Sequence, residues 1–115
     1  MRISDVKKKL TAEGILDNRQ LFCYSTLTGI VNGSSFQNLV GIIFSEDKLL
    51  LYGANMDGSL KELVASVPYS IIKNFDFTQR FLYSNVSFSA GIDTFRFYNY
   101  DKKVMKQGFL DAGLL

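Results

Sequence analysis

A chain of 115 residues, 47% hydrophobic and 21% charged, has enough apolar side chain for one core and too much of it to remain disordered. Thirteen basic against eleven acidic residues leave a net charge of +2, too small for the broad positive field with which general DNA or RNA binders gather phosphates, so no nucleic-acid partner is expected. The absence of histidine and the single cysteine remove the commonest general base near neutral pH and any internal disulfide.

In chain order, Ser4 is placed to cap a short helix in which Asp5 sits at the positive end of the dipole, Ile3, Val6 and Leu10 form one stripe, and Gly14 is the stop. Residues 1–18 read as this N-terminal helix and 19–115 as the body of a single domain. Lys7, Lys8 and Lys9 step about 100° apart and cannot share a helix face, so the run reads first as a solvated surface. Leu21–Val31 carries β-branched and aromatic residues without a helical period and reads as a strand, broken at Asn32-Gly33-Ser34-Ser35.

Strands over Phe36–Ser45 and Lys48–Ala54 form the strongest hairpin, two apolar runs around Glu46-Asp47, followed by the turn Asn55-Met56-Asp57-Gly58. Leu60–Val67 alternates, with Leu63, Ala65 and Val67 on one face, and Pro68 ends it by withholding a ladder donor. Three further antiparallel strands are predicted around Phe75 and Phe77, Val86 and Phe88, and Phe95 and Phe97, joined at Gln79–Ser84 and Ala90-Gly91-Ile92-Asp93. Asp101 then caps a terminal helix with Val104, Met105, Phe109 and Leu110 on one side, where Gly108 reads as a point of close packing against the sheet. The order, a short helix, about seven antiparallel strands and an amphipathic helix, predicts a mainly β barrel or orthogonal sandwich plugged by the last helix.

Three stretches carry a resemblance to a known family. Gly41-Ile42-Ile43-Phe44-Ser45-Glu46-Asp47-Lys48-Leu49-Leu50-Leu51-Tyr52 resembles the "G-apolar-apolar-apolar-T-x-x-R-apolar" hairpin of bacterial pleckstrin-homology-like and GRAM-like domains, with Ser45 and Lys48 standing where Thr and Arg are usual. Val67-Pro68-Tyr69-Ser70-Ile71-Ile72-Lys73-Asn74-Phe75 is similar to their "I-P-Y-x-x-I-x-x-V/F" segment, and Thr94-Phe95-Arg96-Phe97 with the helix after it to their last strand and capping helix. Together these span about residues 21–114. The resemblance implies a pleckstrin-homology-like barrel of two roughly orthogonal sheets with a C-terminal capping helix, a scaffold that serves many partners. Many eukaryotic pleckstrin-homology domains that grip phosphoinositides use basic residues around the first hairpin; the corresponding Val31–Asn38 has neither Lys nor Arg, so those ligand residues are not carried over.

The chemistry of the chain points away from catalysis. Its acidic residues show neither EF-hand nor zinc spacing, its glycines no nucleotide fingerprint, and Cys23 stands between Phe22 and Tyr24 in a strand, where it reads as a small core residue. No metal, cofactor or small-molecule substrate is indicated, and a non-catalytic binding module is expected. The best candidate surface is Gln79-Arg80-Phe81-Leu82-Tyr83, a hairpin tip with three consecutive large apolar or aromatic residues where tips are normally polar. The competing reading folds Phe81 or Tyr83 back over the barrel mouth, or runs the strands through this region. Tyr98 and Tyr100, opposite in phase to Phe95 and Phe97, extend the patch outward, and self-association with another copy, through these aromatics and the sheet edges, is the expected use.

The alternative partner is an anionic membrane surface met by Lys7, Lys8 and Lys9 or by Lys102, Lys103 and Lys106, at about 1 kcal/mol per charge. No apolar run of signal length follows Met1-Arg2 and none nears the roughly 20 residues of a membrane span, which makes a reduced, cytoplasmic protein the expectation.

Overall fold

The computed structural model describes residues 3–14, 16 and 20–115, with side chains from Lys7 onward. Helix α1 (Ile3–Ala12) is followed by strands β1 (Leu21–Val31), β2 (Ser34–Phe44), β3 (Lys48–Ala54), β4 (Leu60–Pro68), β5 (Ile72–Gln79), β6 (Ser84–Ala90) and β7 (Asp93–Asn99), and by helix α2 (Lys102–Asp111). All strand pairs are antiparallel and lie in a single sheet of order β4-β3-β2-β1-β7-β6-β5.

The two-sheet expectation is therefore corrected to one open sheet, with β4 and β5 as its edges and a 3-10 turn, Tyr69–Ile71, between them. The cause is the length of the central strands. β1 and β2 each run 11 residues and pair along their whole length, from Leu21 opposite Phe44 to Val31 opposite Ser34. Val40–Phe44 of β2 continues the ladder to β3, while Thr26–Ile30 of β1 continues it to β7. Two strands common to both halves keep those halves in one sheet.

That sheet folds around one core. Cys23, Leu27, Val40, Ile42, Leu49 and Leu51 from one half meet Val86, Phe88, Phe95 and Phe97 from the other, and α2 inserts Met105 and Phe109 between them. Gly108 lets the helix approach: a Cβ there would stand 2.5 Å from the Phe44 ring, which is itself packed edge-on to Phe109. The opposite face of β1–β3 is covered too, by Leu10 and Leu16 against Phe22 and Ile43, with Tyr24, Leu50, Tyr52 and Leu60 around them. Burial on both faces is why Ile42 and Ile43 are consecutive apolar residues in one strand.

Several local expectations change. The first turn is only Asn32-Gly33, both with positive φ (53° and 79°) as the tight hairpin turn that matches strand twist requires, so Ser34 and Ser35 belong to β2. In β4 the ladder slips between Leu51 and Tyr52, placing Ala65 opposite Leu51 but Leu63 opposite Tyr52. The extra residue turns Leu63 to the outer face, away from Ala65 and Val67. Leu110 is half exposed rather than inward. Asp101 holds the cap position of α2 without a side-chain capping hydrogen bond. α1 starts at Ile3, so Ser4 lies inside it, and the side chains of Ile3 and Val6 fall outside the described residues.

Candidate interaction surface

In β7, Phe95, Phe97 and Asn99 point inward and Tyr98 outward. A buried asparagine must satisfy its amide, and Asn99 does so across three strands: its Nδ2 donates to the Tyr24 carbonyl at 3.0 Å and lies 3.7 Å from Cys23 Sγ, while its Oδ1 accepts from Ser84 Oγ at 3.1 Å. This network fixes β1, β6 and β7 where the outer tyrosines emerge. Tyr83 stacks on Tyr98 with ring centroids 4.5 Å apart, and Tyr100 meets Tyr98 edge-on at 5.6 Å. The Tyr98 and Tyr100 hydroxyls share a hydrogen bond at 3.4 Å. That bond above all holds the Tyr98 phenol neutral, its pKa pushed up to about 12.

Beside this cluster is the β5–β6 tip. Arg80 N–H donates to the Tyr83 carbonyl at 2.8 Å, closing the loop, and Lys102 Nζ donates to the carbonyls of Arg80 and Phe81 at 2.9 and 2.5 Å. The tip is thus tied to the start of α2 through its backbone, which leaves its side chains outside. Phe81 is 90% exposed and Leu82 64%. Phe81 does not fold back, and Tyr83 is half-buried against the outward-facing Tyr98 and not over the core. A groove of about 510 Å³ adjoins the tip, bounded by Tyr24, Ser25, Thr26, Leu39, Tyr98, Asn99, Tyr100 and Asp101. Tyr100 is 69% exposed and Tyr98 38%.

Tyr83, Tyr98 and Tyr100 pack into one surface, and Arg80, Phe81 and Leu82 stand exposed on the tip beside it. Tyr24, Leu39 and Asn99 belong to it as well and escaped the sequence reading. The period-two phase with Phe95 and Phe97 marks Asn99 as inward, whereas Leu39 joins Tyr98 only through Thr26, which pairs with both. The lysines do not converge. Lys7–Lys9 ride on α1 over the outer face, Lys103 and Lys106 are exposed on α2, and α1 and α2 pack on opposite faces of the β1–β2 ladder.

Elsewhere the site chemistry is sparse. Burial raises the Cys23 thiol far above its ordinary value, with Asp101 adding to the rise and the Asn99 hydrogen bond opposing it, so the thiol stays protonated against Met105 Sδ at 3.5 Å. A second cleft, also about 510 Å³, lies between the end of α2 and the β2–β3 turn, lined by Phe44, Tyr69, Glu46 and Asp111 among others. Among the described residues no group of His, Cys, Asp and Glu is arranged to hold a metal, and no helix is long and apolar enough to cross a membrane. No family model matches the chain, and no curated protein shows significant similarity to it.

Proposed function

We propose that the chain is a non-catalytic, cytoplasmic binding module of the pleckstrin-homology-like kind, whose outer aromatic surface engages protein, a second copy of itself in the first instance. The observation that carries this is the exposure of Phe81 and Leu82 on a tip whose backbone is tied down by Lys102. Large apolar side chains on a backbone that is already tied down spare the cost of ordering that backbone on association, and they remove their surface from solvent when covered. The strand order, the long first hairpin and the plugging helix support the family assignment as a scaffold.

The aromatic surface is favoured over the sheet edges. Both edge strands are irregular, β4 through its register slips and β5 through one between Lys73 and Asp76, where Asn74 has positive φ. Bulged edges are poor templates for strand addition.

Light scattering after size exclusion tests the proposal. A mass above the 13.0 kDa of one chain is expected, persisting at about 1 M salt because an apolar contact is not screened, and Phe81→Asp or Leu82→Asp is expected to return it to one chain. A single-chain mass for the parent protein at high concentration, with no protein captured in a Phe81-dependent way, overturns it.

A further inference from the structure

Resting on that reading, we propose that the partner is a second copy bound by mutual exchange: each copy seats its Phe81 tip in the Tyr98–Tyr100 groove of the other, with Arg80 meeting Asp101 of the second copy. The tip is joined to the groove through Tyr83, stacked on Tyr98, and through Lys102, which follows Asp101 and holds the carbonyls of Arg80 and Phe81, so a two-fold axis between two copies can bring each tip to the other's groove at once. That is the self-complementary arrangement a two-fold dimer needs.

The charges point to the same occupant. Arg80, exposed next to Phe81, and Asp101, half-buried on the groove wall, make no ion pair with any described residue. Asp101 is also not spent on capping α2. The knob thus carries a free cation and the hole a free anion, each in the position to complement the other across the axis. The net charge of +2 sets up little repulsion between copies.

Charge reversal with mixing is the test. Arg80→Asp alone and Asp101→Arg alone are each expected to weaken the dimer by about tenfold or more, since two opposed pairs become like-charged at once. An equimolar mixture of the two variants is expected to recover a dimer of parental strength, because both contacts between unlike chains are then complementary. Circular dichroism establishes that each variant is folded; if Asp101→Arg is not, Asp101→Asn replaces it, with a several-fold weakening expected on its own and no further loss when combined with Arg80→Gln. Reversals that leave the mass unchanged while Phe81→Asp dissociates it, or a mixture that stays monomeric, overturn the exchange geometry and leave self-association standing. A parent chain that never dimerises overturns both.

Discussion

Two residues show how local chemistry governs this protein. Gly29 sits in the central strand β1, opposite Phe36 of β2 and Phe95 of β7, and a Cβ at that position would run into the Thr94 carbonyl. Backbone cannot yield as a side-chain end can, so Gly29→Ala is expected to cost about 3 kcal/mol, read as a lower urea midpoint at unchanged slope. Tyr69 donates its hydroxyl to the Ser45 carbonyl at 2.8 Å. Burial, then the charges of Asp47 and Asp111, raise its pKa from 10.0 to about 12. The folded state therefore keeps a proton that the unfolded chain has released, and this contribution to stability is complete below pH 10 and lost as the pH rises toward 12. Tyr69→Phe is expected to lower stability at neutral pH by about 1 kcal/mol and to flatten part of the alkaline decline in the urea midpoint; an equally steep decline would remove Tyr69 as its source. Cys23 was legible as a core residue from its aromatic neighbours. The demands of Gly29 and Asn99 were not, because they arise from strands some 65 to 76 residues away in sequence.

Strand existence was legible element by element, because β4 to β7 alternate, β2 and β3 are apolar runs of strand length, and the turns after β1, β2, β3 and β6 carry Gly, Asn or Asp. What escaped was the partner of each face. The run Ile42-Ile43 announces a buried strand but cannot say that Ile42 meets the inner core while Ile43 meets α1. Likewise the alternation in β4 placed Leu63 wrongly because a bulge adds a residue without leaving a compositional mark. The α1 contact makes its own prediction. Leu10 is buried against Phe22 and Ile43, so Leu10→Ala is expected to cost about 2–3 kcal/mol. Since α1 touches one face only, the loss is expected to appear first as faster amide exchange in α1 itself, with the β1–β7 amides slowed as before. Uniform acceleration across the sheet would instead make α1 part of the global folding unit.

At the scale of the whole molecule, the placement of charge decides how far a membrane can compete with a protein partner. α1 and α2 sandwich the β1–β2 ladder, Leu10 pressing on Phe22 and Ile43 from one side, Met105 and Gly108 on Cys23 and Phe44 from the other. Two helix–sheet layers put the lysine runs roughly 20 Å apart on opposite sides, well beyond the screening length of about 8 Å at physiological salt. A flat bilayer can meet only one run at a time. On the α2 side Lys102 is also committed to the carbonyls of Arg80 and Phe81, which leaves Lys103 and Lys106. Two or three lysines near an anionic leaflet supply about 2–3 kcal/mol, short of the roughly 5–6 kcal/mol of even a single marginal lipid anchor. Vesicles rich in phosphatidylserine are therefore expected to sediment little of this protein at physiological salt, and Lys7, Lys8 and Lys9 all changed to Gln is expected to leave both that result and the mass in solution unaltered. Strong co-sedimentation abolished by those three substitutions would reverse the order of the two partners and make the aromatic surface secondary to α1.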